Sequence, residues 1–249
     1  MNGAFLRDHP YLISNLLGLA IVALCWLVAG PQRRLMLLSG AALVPFFPLA
    51  GLFSDGSYWR PSHLAIGALS PIHAFGGPVG IEDMMFLFIA GARCWFFATV
   101  AGLRRWVATA APSTFLRAAA TMTAAAFASL AVSRLLGLDF TSASYVLPAA
   151  FGVILLRLNP QYWPLALSGA AGSVLLAAIE LRIWFSIWPE YRLAWTPGIA
   201  TSRTVFGVPA GDVLWWAVVG AVHPLAMARC AGCIHRPRTP CRPTGVRSP

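Results

Sequence analysis

The segment GGPVGIEDMMFLF, residues 76–88, places two adjacent carboxylates at the start of a long apolar run. Glu82 and Asp83 are followed by mainly apolar side chains, interrupted by Arg93, as far as residue 103. An acid is costly inside a bilayer unless it is neutral or paired, so an acid pair at the start of a membrane helix predicts a functional site. A simpler interpretation is that both acids are ionised and cap the helix N-terminus at the membrane interface.

The whole chain shares this apolar character, with 58% hydrophobic and 10% charged residues. Soluble domains carry about 25% charged residues, so a soluble fold is excluded. The apolar runs are continuous and lack a two-residue alternation, which favours helices over barrel strands. We therefore predict an all-α integral membrane fold with seven transmembrane helices, at residues 11–29, 34–53, 81–103, 115–136, 143–158, 163–187 and 211–231.

The basic residues indicate topology. All 18 are Arg, the formal net charge is +10, and most of them lie between apolar runs. This placement suits lipid headgroups, and without a basic and aromatic motif we expect no nucleic-acid partner. The Arg excess beside residues 33–34, 104–105 and the C-terminus predicts an outside N-terminus and a cytoplasmic C-terminus. We expect a transmembrane domain over residues 1–232 and a disordered, basic, Pro-rich tail over 233–249.

An internal repeat is visible in the sequence. PQRRLMLLSGAA, residues 31–42, matches PQYWPLALSGAA, residues 160–171, at seven of twelve positions with an offset of 129. The same offset pairs Trp59 with Trp188 and Asp83 with Asp212. We predict two three-helix repeats, residues 11–103 and 140–231, separated by a spacer helix at 115–136.

The repeat gives the opening motif a counterpart. PVGIED, residues 78–83, corresponds to GVPAGD, residues 207–212, at the start of the last helix. Four crossings separate corresponding helices, so the repeats run in the same direction and are predicted to be related by an axis along the membrane normal. Asp83 and Asp212 are then expected to enter from one face and to meet across a shared cavity.

Three-helix units that end in a helix opening with Gly-x-Pro-x-acid-acid, followed by aromatic residues, resemble the membrane-embedded lycopene cyclases. They are also similar to the wider superfamily of small seven-helix transmembrane terpene cyclases. The resemblance covers residues 11–231 and depends on short motifs. The first motif keeps Glu82 and Asp83 but has Gly80 at the usual Pro position, and the second has Gly211 in place of an acid and keeps only Asp212. This departure argues against lycopene as the substrate.

The resemblance implies a non-metal membrane enzyme, without a cofactor, that starts cyclisation by protonating a lipophilic isoprenoid and loses no diphosphate. The implied substrate is a farnesylated or geranylgeranylated small molecule, such as a prenyl-indole or another meroterpenoid precursor. The implied catalytic residues are Asp83, Asp212 and Glu82, which divide the acid and base roles. Burial and a like-charged neighbour keep a carboxylic acid protonated at neutral pH, which this chemistry requires.

A carbocation also needs shelter from water, and aromatic faces stabilise cations by roughly 0.5–2 kcal/mol each. The aromatic residues near the two acidic motifs are therefore candidates for lining the substrate site, although lipid-belt and core packing roles remain open for them. These residues are Trp59, Phe86, Trp188, Trp195, Trp215 and Trp216.

Two further charged residues fall within apolar runs. Glu180 is expected to pair locally with Arg182 or Arg203, or to join the site. Arg93 is expected to snorkel or to pair with an acid on another helix. Both are possible supports for the site.

Other functions are compatible with the same features. A lycopene beta-cyclase is the nearest alternative, and a small proton-coupled membrane transporter would also combine repeats with intramembrane acids. A non-enzymatic membrane scaffold is a third possibility. The spacing of Cys230, Cys233, His235 and Cys241 differs from a standard zinc site, so we predict no metal.

Overall fold

The computed structural model describes residues 8–52, 63, 70–101, 105–137, 140–194 and 203–236. Trp59, Trp195 and the tail from residue 237 onward lie outside these residues. The described part contains seven α-helices, and their bounds are α1 Pro10–Val28, α2 Arg33–Leu43, α3 Ile81–Phe96, α4 Pro112–Leu135, α5 Phe140–Leu158, α6 Trp163–Ile187 and α7 Ala210–Cys230. The prediction of an all-helical fold is thereby confirmed.

Six of the described helical segments are long and apolar enough to cross a membrane: Pro10–Val28, Gly30–Leu52, Ile81–Val100, Pro112–Ser133, Pro160–Ile187 and Ala210–Cys230. The fifth predicted segment corresponds to a shorter apolar helix, Ala143–Leu158. Large apolar side chains are exposed on the outer faces of the helices, as on a lipid-facing surface; they include Leu24, Val28, Leu135, Leu158 and Leu175. These features are those of a helical membrane protein.

Two of the helices change their winding before they end. After Leu43, α2 continues as the 3₁₀ segment Val44–Leu52, which contains Pro48. Proline lacks an N–H and clashes with the preceding turn, so a regular α-helix is disfavoured there. After Phe96, α3 ends in one π-helical turn over Phe97–Ala101.

Two short hairpins precede α3 and α7. In the first, β1 (Ile72–Ala74) pairs with β2 (Gly77–Val79), and in the second, β4 (Thr204–Val205) pairs with β5 (Val208–Pro209). Each has a two-residue Phe-Gly loop in which both residues have positive φ: 53° and 105° for Phe75 and Gly76, and 55° and 77° for Phe206 and Gly207. Positive φ at both loop residues matches the right-handed twist of the strands. Each hairpin leads directly into the first turn of a helix that carries an acid.

Two close helix crossings also use corresponding residues. A Cβ atom on Gly91 of α3 would lie 2.4 Å from the backbone oxygen of Ser39 on α2, beside Gly40. A Cβ atom on Gly220 of α7 would lie 2.6 Å from the backbone oxygen of Gly169 on α6. Small residues permit such backbone contact between membrane helices. Gly40 and Gly169, like Gly91 and Gly220, are 129 residues apart, which is the offset of the sequence repeat.

A buried polar cluster ties α7 to α2 and α3. The Ser39 hydroxyl lies 2.7 Å from the Gly91 carbonyl oxygen and 2.9 Å from Nε2 of His223. A carbonyl only accepts, so the single hydroxyl proton goes to Gly91, and His223 Nε2 must carry a proton that it donates to Ser39. His223 is therefore a hydrogen-bonded residue of the helix core.

A small two-stranded sheet lies at the end of the helices opposite to the two hairpins. The strand β3 (Arg105–Val107) pairs with β6 (Ile234–Arg236). The Gln32 amide donates to the Trp106 backbone oxygen at 2.6 Å and accepts from the Trp95 indole at 3.2 Å. The Tyr162 hydroxyl donates to the Cys233 backbone oxygen at 2.8 Å.

This sheet corrects one expectation. The disordered tail was predicted to begin at residue 233, whereas residues 234–236 form a strand. Backbone pairing with β3, which lies more than a hundred residues earlier, supplies the order that local composition did not indicate.

Candidate functional site

The start of α3 buries both predicted acids. Gly80 is the N-cap residue in an extended conformation, and its backbone N–H donates to Asp83 Oδ2 at 2.7 Å. The Asp83 backbone N–H in turn donates to the Gly80 oxygen at 3.2 Å. Glu82 is 0% exposed and Asp83 is 2% exposed. We call Gly80–Asp83 the first acidic head. Asp83 does cap the helix, as the simpler interpretation held, but away from solvent.

Two side chains from distant parts of the chain complete the surroundings of Asp83. The Tyr11 hydroxyl, from the first turn of α1, donates to Asp83 Oδ1 at 3.0 Å. Nε2 of His63 lies 2.8 Å from Asp83 Oδ2. The rings of Tyr11 and His63 meet edge to face, with centroids 5.8 Å apart. Asp83 thus contacts three polar partners, which are Tyr11 on α1, His63 and its own helix cap.

Glu82 belongs to the same cluster. A Cβ atom on Gly80 would lie 2.6 Å from Glu82 Oε2 and 2.8 Å from Cδ2 of His63. The carboxyl group of Glu82 and the ring of His63 therefore both pack directly against Gly80. Glycine at this position leaves the room that the two side chains occupy.

The start of α7 carries one acid, Asp212, which we call the second acidic head. Asp212 is half-buried in the first turn of the helix. Its negative charge acts on Tyr191, in the 3₁₀ segment Pro189–Ala194. Burial raises the pKa of the Tyr191 phenol above its ordinary value and Asp212 raises that pKa further, while a hydrogen bond with the Ser14 side chain opposes both effects.

Each acidic head has a buried tyrosine near it. Tyr11 is hydrogen-bonded to Asp83. Tyr191 lies close enough to Asp212 to be influenced by its negative charge.

Three of the predicted lining residues form one aromatic cluster. The ring centroid of Phe86 lies 5.5 Å from that of Trp215 and 5.8 Å from that of Trp216. The two tryptophans meet edge to face at 5.0 Å. Phe86 follows Asp83 by three positions, and Trp215 follows Asp212 by three, so each aromatic residue lies on the same helix face as its acid.

Trp188 is not part of this cluster. Trp188 stacks on Trp184 with centroids 4.7 Å apart, in a separate group with Phe185 and Tyr191. The predictions for Trp59 and Trp195 fall outside the described residues.

The two charged residues predicted as supports are paired with each other. The Arg93 guanidinium on α3 donates to both carboxylate oxygens of Glu180 on α6, each at 2.6 Å. The expected partner Arg182 instead donates to the Phe206 backbone oxygen at 3.3 Å. The side chains of Arg93 and Glu180 are 5% and 20% exposed. The ion pair therefore joins two helices and leaves both charges satisfied within the span.

The two described cysteines near the C-terminus, Cys230 and Cys233, are buried free thiols. The Cys230 thiol lies 3.3 Å from the sulfur of Met122, and burial raises the pKa of the Cys233 thiol to about 12. Cys241 lies outside the described residues. A shallow groove of about 390 Å³ opens near this end, away from the acidic heads, and is lined by Val153, Leu156, Arg157, Pro160 and Trp163.

Sequence reasoning did not find Tyr11, His63 or Tyr191 as site residues. Tyr11 and Asp83 are 72 positions apart, and a tyrosine at the start of an apolar run is equally typical of an interface belt. One available signal was the Phe-Gly pair that precedes both acidic helices, because it marks the two hairpins that position the heads.

Comparison of the chain with models of known protein families, with curated proteins and with solved structures gives no match. The functional conclusion accordingly depends on the geometry of the chain's own residues.

Proposed function

We propose that this chain is an integral-membrane terpene cyclase. It would close rings in a prenylated small molecule, such as a farnesyl or geranylgeranyl chain on an indole or another aromatic head, without loss of diphosphate. The observation that carries the proposal is the buried carboxylate of Asp83, held by Tyr11, His63 and Gly80 at the same end as Asp212. Buried carboxylates with specific partners are typical of proton-transfer sites.

Asp83 is the better candidate for the acid that starts the reaction. Its O–H bond breaks as a C–H bond forms at the terminal alkene carbon, or as an epoxide oxygen is protonated. Before the reaction the Asp83 proton can be shared with Nε2 of His63, the partner that is able to accept it, because the Tyr11 hydroxyl and the Gly80 N–H are donors. The same two donors stabilise the carboxylate that is left after proton transfer. Glu82, which packs against Gly80, supplies a second carboxyl group at the same helix start.

The aromatic cluster suits the next step. Protonation leaves a tertiary cation, which is attacked by the next double bond to form a ring carbon–carbon bond. Phe86, Trp215 and Trp216 lie one helical turn beyond the acids, and a cation held against one of these rings would gain roughly 0.5–2 kcal/mol per face. Asp212 then accepts a proton from the carbon beside the final cation, and a new double bond forms. The product is an isomer of the substrate, so no oxidant or reductant is required.

We also propose that the two halves are parallel repeats of a seven-helix membrane fold. The 129-residue offset shared by the two glycine crossings supports this arrangement, as do the two Phe-Gly hairpins. The Arg distribution supports a cell-membrane orientation with the N-terminus outside and the C-terminus in the cytoplasm. Cysteine accessibility to a membrane-impermeant reagent, measured from each side, tests the orientation.

A proton-coupled carrier is the second candidate, and the Arg93–Glu180 pair within the span favours it because charges at that depth often mark transport paths. The acids of the two heads instead lie in the first turns of their helices, at one end of the molecule. That position suits a site reached from the interface better than a path across the bilayer. Lycopene beta-cyclisation remains an alternative within the cyclase class.

The test uses purified protein in lipid nanodiscs, incubated in D₂O with farnesyl-indole, a geranylgeranylated aromatic compound and lycopene. A proton-initiated cyclase gives a cyclic product that carries one solvent deuterium, and mass spectrometry detects it one mass unit above the substrate. Asp83→Asn and Asp212→Asn are expected to abolish this product, whereas Asp8→Asn changes an exposed acid outside the site and serves as the control.

Two results would refute the proposal. One is a cyclic product that carries no solvent deuterium, and the other is full activity of both Asn variants. Proton uptake by liposomes, driven by a gradient and lost in Asp83→Asn, without any cyclic product from the three compounds, would instead establish the carrier.

A further inference from the structure

We propose that the corner between α5 and α6 binds an anionic phospholipid, with the lipid phosphate on Arg157 and one acyl chain in the adjoining apolar groove. The corner lies at the end of the helices opposite to the acidic heads. The inference therefore goes beyond the proposed cyclase function and does not depend on it. It assigns a ligand to a groove that the proposed chemistry leaves unused.

Hydrogen bonds hold the corner in place. The backbone N–H of Asn159 donates to the Leu155 oxygen at 2.9 Å, and the Asn159 side-chain amide donates to the same oxygen at 3.1 Å. The Tyr162 hydroxyl donates to the Cys233 backbone oxygen at 2.8 Å, which fixes the corner to the small sheet. Asn159 and Tyr162 are both buried. The groove is thus formed before any ligand binds, so little ordering is required on binding.

The groove suits a single acyl chain. Its volume is about 390 Å³, which lies within the range of small-molecule sites, and it is shallow and open to the surroundings of the helices. Val153 and Trp163 on its walls are both exposed. A tryptophan at a helix end is typical of the depth at which lipid headgroups begin, so the apolar walls below it face acyl chains. The apolar walls are formed by Val153, Leu156, Pro160 and Trp163.

Arg157 supplies the charge of the groove. It is exposed in the last turn of α5, beside the apolar walls. The ion pairs of the described residues, His63–Asp83 and Arg93–Glu180, do not involve it. A guanidinium donates parallel N–H bonds to phosphate oxygens, and its flexible stem lets it reach the headgroup layer from a helix end. Arg157 is therefore placed to hold the phosphate of a lipid whose chain lies in the groove.

The charges at this end of the molecule favour an anionic lipid over a zwitterionic one. Arg34, Arg117 and Arg229 are also exposed here, each near the end of a helix. The ammonium group of phosphatidylcholine would find no counter-charge among the described side chains of this end, whereas each arginine attracts an anionic headgroup. The described carboxylate side chains lie at the other end or within the span, and they are Asp8, Glu82, Asp83, Glu180 and Asp212.

The first experiment tests the headgroup. Native mass spectrometry of the purified protein measures lipid adducts after addition of phosphatidylglycerol or phosphatidylcholine at equal concentration. Phosphatidylglycerol should bind about fivefold more tightly, and Arg157→Gln should remove most of that difference. Arg117→Gln, which changes an exposed arginine outside the groove, is the matched control and should have a much smaller effect. Equal binding of the two lipids, or equal effects of the two substitutions, would overturn the proposal.

The second experiment tests the groove with Arg157 intact. Val153→Trp fills the groove and should weaken phosphatidylglycerol binding. Ile154→Trp adds the same bulk at a neighbouring position that is equally exposed but does not line the groove, and it should leave binding unchanged. Glycerophosphoglycerol, which is the same headgroup without acyl chains, should not displace the lipid. Displacement by it at equal concentration, or equal effects of the two Trp variants, would show that the groove is not a lipid site.

Discussion

The two acidic heads have the same scaffold and different surroundings. Each follows a hairpin with a Phe-Gly loop and begins a helix that crosses its neighbour at a glycine. At the first head the hairpin packs on the backbone of the 3₁₀ segment Val44–Leu52, and a Cβ atom on Gly51 would collide with the Ala74 oxygen. At the second head the hairpin loop receives a hydrogen bond from Arg182.

The side chains around the acids differ more than the hairpins and helix crossings that position the two heads. Glu82 and Asp83 are buried together with His63 and Tyr11, whereas Asp212 is half-buried beside Tyr191. The backbone geometry that sets the direction of each helix thus recurs, while the side chains around the two acids differ. The differences between the two heads can be tested.

The largest difference between the two heads is expected in the loss of turnover when each acid is lengthened by one methylene. Asp83→Glu should lower turnover of farnesyl-indole about 10²-fold, because three fixed partners surround the carboxylate and a misplacement of about 1 Å has that cost. Asp212→Glu should lose less than about tenfold, since Asp212 is half-buried whereas Asp83 is 2% exposed. Steady-state rates of product formation provide the measurement, and equal losses would contradict the distinction between the heads.

Separating the charged pair that links α3 to α6 should affect stability rather than proton transfer. Glu180→Gln leaves the buried Arg93 guanidinium without a counter-charge, and breaking such a pair costs about 3–5 kcal/mol. The free energy of unfolding, measured in bicelles, should fall by about that amount. Arg182→Gln, which removes an exposed arginine with one carbonyl contact, is the matched control, and an equal effect of both substitutions would show that the pair is unimportant.

The glycine crossings test the correspondence between the halves. Gly91→Ala and Gly220→Ala each place a Cβ atom within 2.6 Å of a backbone oxygen on the neighbouring helix, so each should destabilise by about 1–3 kcal/mol. Gly152→Ala, which meets only a methyl group of Val222, should have a smaller effect because that side chain can rotate. The measurement is the free energy of unfolding of the three variants. Clearly different losses in Gly91→Ala and Gly220→Ala would show that the two crossings are not equivalent.

The smallest expected effect concerns alkaline pH at the second head. The pKa of Tyr191 is raised in the folded chain, whereas an unfolded tyrosine has a pKa of about 10. The stabilisation is therefore complete below about pH 10 and is lost as the pH rises toward the folded value, at a rate of at most about 1.4 kcal/mol per pH unit. The free energy of unfolding should fall less steeply above pH 10 in Tyr191→Phe, and a slope identical to that of the wild type would contradict this effect.

Much of the fold was predictable from the sequence. The predicted helix at 81–103 begins at the observed residue Ile81, and the last helix, predicted at 211–231, is observed at Ala210–Cys230. Apolar runs bounded by proline, glycine and arginine define such limits well because the bilayer demands a minimum length. The position of the acids at helix starts follows from the same limits.

The partners of the acids were not predictable. Transmembrane runs are apolar on all sides, so their sequence does not indicate which face meets which helix. Arg93 and Glu180 are 87 positions apart, and local pairing of Glu180 with Arg182 was as reasonable from sequence as the observed pair. Tyr11 and His63 contact Asp83 only because the chain brings α1 and position 63 to the start of α3.

The small sheet of β3 and β6, at the end of the helices opposite to the acidic heads, implies an order of assembly. The strand β3 follows α3, but its partner β6 follows α7, so the ribosome must synthesise nearly the whole described chain before the sheet closes. The contact between Tyr11 and Asp83 needs only α1 and α3, which are made early. During membrane insertion, the first acidic head can therefore form while β3 still presents an unpaired edge. Pairing of β6 with this edge can occur only after α7 has been inserted. It is therefore the last step in the assembly of the described chain.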